Sequence, residues 1–578
     1  KMGVGLLKVV VPLLQTRLNS EEESTRQGVC LGLSEIMRST SKKRISEYVP
    51  VLIAAVRDAL CDEVESVREA AGAAFQTLHS IVGQDAIDEI VPALVKQLGA
   101  NDNDIEEKEA EDGDELDEDE DEAGDDEDGD DDGYIEPELV LGGMRQILKT
   151  HSRMVLPFLV PQLMQRPISL FRAQALASLA EVLGTSFYRY IENVTRAFIE
   201  AMEREAVAGN GPRRQEFLQH AAQLNANLRQ DAVHALVATL CEVIQSPRAK
   251  AHNHDKLAAV ELLERFAKES KCDLVHNLES MLHAALLLFA AKEAEVLKHA
   301  VMAAANVMKL VPKNKNAEYI KQVAAILREV THDISANQII FELPGLNVRG
   351  ALRPFIQLLT EGLMKGNENT KELAANTIGT FVSLTAPTAL NPYVMLITGP
   401  LIRMASENFS EGVKVAILQT LALLLARCGP RLKAFFSALQ TTFRKSLHHK
   451  SPEVREKTVE GLATMMKHNA RVDNVIQDLV SQVRREEDAH VKGSLLTAIH
   501  RVMEHKSTAT KVSSPLVSSL IATVGPLLSV QQSMVRTAAK KTFDTSVKYL
   551  EGEAEIKAAM AKYGGRGDDN DLSSDSEA

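Results

Sequence analysis

Tryptophan is absent from the 578 residues, and aromatic side chains make up only 4% of them. Strands favour aromatic and β-branched residues together, whereas Leu and Ala are helix formers. The composition therefore excludes a β-rich fold, and its Ala-rich packing fits closely stacked helices better than a ligand-binding cavity. Cysteine is scarce and odd in number, at positions 30, 61, 241, 272 and 428. No two lie close enough for a Cys-x-x-Cys metal or redox pair, so buried thiols in a reducing compartment are expected. No basic and apolar leader precedes the first helical pattern, and the start at Lys1 reads as a cut from something longer. No apolar run approaches the ~18 residues of a membrane span, so no membrane partner is expected.

Catalytic signatures are missing as well. There is no G-x-x-x-x-G-K-[ST], no convincing G-x-G-x-x-G and no H-E-x-x-H. Gly32-Leu33-Ser34-Glu35-Ile36 lacks the second glycine of a nucleophile elbow and falls within a helical pattern. His448 and His449 are adjacent, which on a helix points them about 100° apart and makes solvated surface their expected place. Asp125-Asp126-Glu127-Asp128-Gly129 carries its glycine at the fifth position rather than the sixth that a calcium loop requires. Arg566-Gly567-Asp568 matches an adhesion tripeptide but stands in an acidic tail. No catalytic residue, metal site or cofactor is expected.

The net charge of −15 hides two poles. Residues 102–132 hold 22 acids and one Lys, and 568–578 hold five more acids. Setting aside these stretches, at −21 and −5, leaves the body at +11. A basic body can meet acidic or ribonucleoprotein surfaces through long-range fields.

A period of about 40 residues runs through that body. Val followed by Arg or Lys opens an apolar helix at Val67-Arg68, Val413-Lys414, Val454-Arg455, Val491-Lys492 and Val535-Arg536, the last four spaced by 41, 37 and 44 residues. Pro12, Pro50, Pro92 and Pro157 are expected near the start of the preceding helix. In one unit, Pro50, Val51, Ile53, Ala54, Val56 and Leu60 fit a first helix, and Val67, Ala70, Ala71, Ala74, Phe75 and Leu78 a second, across the turn Cys61-Asp62-Glu63. Small residues such as Gly72 let the helices approach closely. A single pair cannot bury its stripe, so stacked pairs must share one core. The fold expected is an all-α HEAT-repeat α-solenoid, with Arg68, Arg455 and Arg536 in structural pairs, Arg68 with Asp62. The units near 40 residues, without Trp, fit this better than tetratricopeptide repeats.

Three segments break the pattern. Residues 102–133 have almost nothing apolar to bury and read as a disordered acidic insert. Residues 206–216 read as a loop. Residues 564–578 read as a disordered acidic tail, in which Ser574 resembles the target of an acid-directed kinase.

The string Arg26-Gln27-Gly28-Val29-Cys30-Leu31-Gly32-Leu33-Ser34-Glu35-Ile36-Met37, after Lys1-Met2-Gly3, resembles a known HEAT-repeat family. The likeness returns at Phe341-Glu342-Leu343-Pro344, at the seven residues Ile397-Thr398-Gly399-Pro400-Leu401-Ile402-Arg403, and at Leu439-Gln440-Thr441-Thr442-Phe443. The family is that of the translational activators of the general-control kinase, the general-control-nonderepressible-protein-one family. The resemblance covers 1–98, 134–165 and 340–500, and is weaker over 166–335. It implies a cytoplasmic, non-catalytic segment from the C-terminal part of such an activator. Members act on stalled ribosomes with an ATP-binding-cassette partner and recruit, through its RWD domain, the kinase that phosphorylates the alpha subunit of initiation factor two. The RWD-binding segment would correspond to about 345–495, with Arg403, Gly399 and Pro400 as contact residues. The insert 102–132 has no counterpart in the family pattern, and the family's ribosome contacts lie largely upstream.

The domains expected are HEAT repeats over 1–101, the insert 102–133, HEAT-like repeats over 134–340, the kinase-binding repeats over 341–500, further repeats over 501–563 and the tail 564–578. On a wheel with Leu396 at zero, Ile397, Pro400 and Met404 cluster within about 100° and Leu401 lies just beyond, Arg403 falls at the border of this stripe, and Gly399-Pro400 is expected to break the helix. An ion pair of Arg403 with Glu407 is the structural alternative. A HEAT scaffold or nuclear-transport-type adaptor with another protein partner is the alternative function. No sequence-specific nucleic acid partner is expected.

Overall fold

The computed structural model describes residues 4–97, 137–246, 254–335, 342–505, 512–550 and 553–563, apart from 181, 183 and 470. The insert 102–133, the tail 564–578 with Ser574 and Arg566, residues 1–3 and Phe341 lie outside the described residues. No strand occurs among the described residues, only α-helices and short 3-10 turns. They form two compact units, Lys1–Met281 and Leu282–Ala578.

The helix pair named above shows how each unit is assembled. Val49–Leu60 and Glu65–Val82 are separated by a four-residue turn. The first buries Leu52, Ile53, Ala55, Val56, Ala59 and Leu60, and the second buries Val67, Ala70, Ala71, Ala74, Phe75 and Leu78. Each fully buried Leu, Ile, Val or Phe contributes about 1.5–3 kcal/mol. Gly83, at φ +84°, ends the second helix in the left-handed region that favours glycine. Gly72 marks a close approach, since a Cβ there would stand 2.9 Å from Cβ of Gln146 on the helix Pro137–Leu163.

In the second unit the pairs stack in two rows. The second helices Glu368–Leu384, Glu411–Cys428, Pro452–Met466, Ala489–His505 and Ser533–Val547 pack in series, each against the next. The first helices Arg353–Lys365, Val394–Ala405 and Phe436–Ser446 form a neighbouring row. Helix Val472–Arg485 shows the stripe that stacking buries: Val472, Val475, Ile476, Leu479, Val480 and Val483 face inward at steps of three and four, while Asn474, Gln477 and Arg485 face water. The fold is an all-α HEAT-type stack, as expected.

The recurring Arg is structural, but its partner is not the one expected. Nη1 of Arg68 donates to the carbonyls of Asp62 and Glu63 at 2.6 and 2.8 Å, and Nη1 of Arg455 to those of His449 and Lys450 at 2.7 and 2.8 Å. Arg26 reaches the carbonyls of Ser20 and Glu21 in the same way, and Arg536 that of Val530. The side chain thus ties the start of the second helix to the turn before it. The Asp62 carboxylate is taken instead by Arg26 of the preceding repeat, at 2.7 and 2.9 Å. A turn exposes several carbonyls with no helical partner, and a guanidinium satisfies two of them at once. Lys371 holds the corresponding place in the helix Glu368–Leu384, buried, with Nζ 3.1 Å from the Met364 carbonyl.

Other expectations are corrected. Residues 206–216 are not a loop: helix Ile191–Val207 gives way after three residues to helix Gly211–Ala226. Pro212 opens that second helix, and the Asn210 side chain caps it by accepting from Arg213 N. Gly209, at φ +76°, makes the tight turn. Of the four prolines expected at helix starts, only Pro50 is there; Pro12 and Pro157 lie inside helices, as does Pro92 in the helix spanning 85–97. Among the described residues, one helical segment, Glu411–Ser446, is long and apolar enough to span a membrane. Its most apolar stretch is largely buried, because Ile417, Leu418, Leu421, Leu424 and Leu425 pack against the repeats on either side. His448 is exposed, as expected, and its ring nitrogens lie 2.9 Å from Gln482 Oε1 and 3.0 Å from Glu486 Oε2. His449 Nδ1 accepts from Ser451 N, at the turn that Arg455 clasps.

Candidate partner-binding face on helix 394–405

Helix Val394–Ala405 lies in the row of first helices, flanked by Arg353–Lys365 and Phe436–Ser446. Its buried face is Val394, Ile397, Thr398, Leu401, Met404 and Ala405. At about 100° per residue, Leu396, Gly399, Pro400 and Arg403 then share an arc of about 100° on the opposite side. Leu396 is 60% exposed and Met395 beside it 54%. The Arg403 side chain is 69% exposed, and a Cβ built on Gly399 would meet nothing within 4 Å.

The structure therefore brings Gly399, Pro400 and Arg403 onto one face and adds Leu396, which the sequence reading misplaced, and Met395, which it did not consider. Leu396 and Pro400 were grouped with Ile397 and Met404 in one stripe, yet only Ile397 and Met404 are buried, and Leu396 and Pro400 lie on the outward side. A wheel centred on Val394 and Leu401 separates the two faces, and hydrophobicity alone does not, because both faces carry large apolar side chains. The expected break is also absent: the helix continues through Pro400. The carbonyl that Pro400 leaves without a donor belongs to Leu396, an exposed residue, so solvent can replace the lost bond. One turn away, the buried Thr398 hydroxyl donates to the Val394 carbonyl at 2.7 Å.

Arg403 Nε stands 3.8 Å from Glu407 Oε1. An exposed pair at that spacing contributes only about 0.3–0.5 kcal/mol, which leaves the guanidinium available to a stronger acceptor. Side by side, a planar cation, two apolar side chains and a gap over glycine suit a protein partner that offers a carboxylate or carbonyl pair beside an apolar patch. No chemistry of bond-breaking is suggested here. Among the described residues no group of three or more His, Cys, Asp or Glu is placed to hold a metal ion.

The family described as "Stalled ribosome sensor GCN1-like, HEAT repeats" matches residues 155–350. The human protein named "Stalled ribosome sensor GCN1" is 30% identical over 562 residues, 97% of this chain and 19% of that protein. The Dictyostelium discoideum protein "eIF-2-alpha kinase activator GCN1" is 29% identical over 96% of this chain and 19% of that protein. Its Saccharomyces cerevisiae namesake is 28% identical over 87% of this chain. The chain thus spans about a fifth of the length of these curated relatives. Among solved structures, importin beta aligns with 96% of this chain and 70% of its own at 13% identity, with a TM-score of 0.33, too low to bear on function. The chain is thus similar nearly end to end to part of the GCN1 proteins, and its residues 155–350 match the GCN1-like HEAT-repeat family.

Proposed function

We propose that this chain is a non-catalytic scaffold of cytoplasmic translational control that binds the RWD domain of the general-control kinase through the outer face of helix Val394–Ala405. The observation that carries the reading is that face itself: Met395 and Leu396 stand in water beside Arg403, whose one described pairing is a 3.8 Å contact within its own helix. Exposed apolar patches mark interaction surfaces, and Met and Arg are enriched at interfaces. Two relatives are named as kinase activators for initiation factor two alpha, and another as a sensor of stalled ribosomes. In this reading the chain's role is to hold the kinase, while contacts with the ribosome and with an ATP-binding-cassette protein belong to the longer protein. The repeats over 341–500 form the kinase-binding part.

The test is a titration of the intact chain with the isolated RWD domain by calorimetry. Wild type should bind, and Arg403→Ala and Leu396→Ser should each weaken binding at least tenfold with an unchanged melting temperature. Unchanged affinity in both variants would remove the site from this face. Loss of folding in Arg403→Ala would return Arg403 to a structural role.

A further inference from the structure

Helices Ala489–His505 and Ser533–Val547 pack side by side, and an open groove of about 400 Å³ lies between them. Arg501, Lys541, Thr497, Thr537 and Met534 are among its walls, and no carboxylate lines it. Met534 is half exposed and lies low over Gly493, where a Cβ would stand 3.3 Å from it. The threonine hydroxyls donate within their own helices, Thr497 to the Gly493 carbonyl at 2.8 Å and Thr537 to the Ser533 carbonyl at 2.9 Å. Their protons are committed, but their oxygens can still accept. Ser494 Oγ already accepts from Arg455 Nε. Glu504 lies outside the lining and is shared between Arg501 at 3.4 Å and His500 at 3.5 Å.

The groove therefore offers cations for carboxylates, hydroxyl oxygens for peptide N–H groups and a thioether for an apolar side chain. That set matches an extended acidic peptide. A nucleic acid is the poorer match: Arg501 and Lys541 would pair with phosphates as well as with carboxylates, but of the lining residues only His500 offers a ring on which a base could stack.

We propose that the occupant is the chain's own acidic segment, residues 568–578. It carries Asp568, Asp569, Asp571, Asp575 and Glu577, and Leu572 as its apolar side chain. The last described helix, Glu553–Tyr563, ends beside the groove's own helix, with the Tyr563 ring 6.3 Å from that of Phe543. Phe543 is nine residues from Met534, about 14 Å along a helix, whereas the residues 564–578 can span up to about 50 Å. Tethering at that range supplies an effective concentration of about millimolar, so modest contacts suffice. Opposite charge on groove and segment sets the direction of docking.

The test uses the intact chain with ¹³C-labelled Met methyl groups, the Met534 signal being assigned by its loss in Met534→Leu. A neutral-tail variant carries Asp568→Asn, Asp569→Asn, Asp571→Asn, Asp575→Asn and Glu577→Gln. Its Met534 methyl should shift from the wild-type position, and 0.5 M salt should move the wild-type signal the same way. A fluorescent peptide of residues 564–578 should bind the neutral-tail chain at least about tenfold more tightly than wild type, whose own segment competes. Adding Lys541→Glu to the neutral-tail chain should abolish that binding. An unmoved Met534 methyl, or equal peptide binding by wild type and neutral-tail chain, would overturn the proposal. So would a Met534 shift produced by a single-stranded RNA oligonucleotide but not by tail neutralisation. Should Lys541→Glu fail to fold, the neutral-tail comparison still decides, because its changes lie outside the groove.

Discussion

Arg455 donates from Nη1 to the carbonyl oxygen of His449, six residues upstream and 2.7 Å away. Arg455 is 5% exposed and its guanidinium also holds Lys450 O and Ser494 Oγ, so one side chain joins the turn of its own repeat to the second helix of the next. Hydrogen bonds to charged groups contribute about 1.5–3 kcal/mol each when both partners are satisfied, and truncation also strands the buried carbonyls. Arg455→Ala should therefore destabilise the second unit by about 3 kcal/mol, read as an earlier urea midpoint. Arg455→Lys should recover only part of this, because an ammonium cannot reproduce the planar fork.

Much of this arrangement was legible in the sequence. The Val-Arg signature and the 3.6-residue stripe locate the second helices, and the pair 49–60 and 65–82 falls where Val51 to Leu78 placed it. What the sequence did not reveal was the object of the Arg. Acid partners are visible as letters, whereas turn carbonyls have no letter, so Asp62 looked like the partner of Arg68 when it serves Arg26. The stretch 206–216 misled for a related reason. Gly-Asn-Gly-Pro has a loop composition, yet here Asn210 and Pro212 are the opening of a helix. At the candidate face, Arg403 was found through resemblance, and Met395 and Leu396 were missed because an exposed Leu and a buried one look alike.

Gly399 separates a structural from a functional role for that face. It is inside a helix with open space where a Cβ would stand. Gly399→Ala should raise the stability of the second unit by about 0.5–1 kcal/mol, since Ala is the better helix former. If a partner's backbone uses the gap, the same change should weaken RWD binding at least tenfold. Gly143→Ala is the control for crowding, because its Cβ would meet the Leu60 carbonyl oxygen at 2.5 Å. It should destabilise the first unit, as seen in thermal melts.

The cysteines should react in a set order. Burial pushes the thiols of Cys30, Cys61 and Cys241 up to about 11, and that of Cys428 upward as well. At pH 8 a thiol at 11 is only about one part in a thousand thiolate, the reactive form. Cys272 is half-buried rather than buried. Iodoacetamide treatment of the native chain, followed by peptide mass analysis, should modify Cys272 first and leave Cys30, Cys61 and Cys241 unmodified until denaturant is added. Early labelling of Cys241 would contradict its packing.

Mild acid should loosen the first unit at one identifiable place. His151 sits at a non-helical residue within Pro137–Leu163, its ring 4.4 Å from that of His79 and edge-on to Phe75 at 5.6 Å. Burial first, and the neighbouring His79 second, hold the His151 imidazole below its ordinary 6.5. The neutral ring is therefore favoured in the folded state, and below pH 6.5 the unfolded chain binds more protons than the folded one. By linkage, the contribution of His151 is fully present above that pH and is lost as the pH falls through its lowered folded value. Burial likewise depresses His220, His449, His468 and His500, so a global melt would mix several sites. Hydrogen exchange resolves them locally. Amides in 137–163 and 65–82 should exchange faster at pH 5.5 than at 7.5, after correction for intrinsic rates. His151→Gln, which cannot take up a proton, should flatten that dependence while leaving helix 489–505, around His500, as acid-sensitive as before. An undiminished pH response in the variant would place the acid sensitivity elsewhere in the unit.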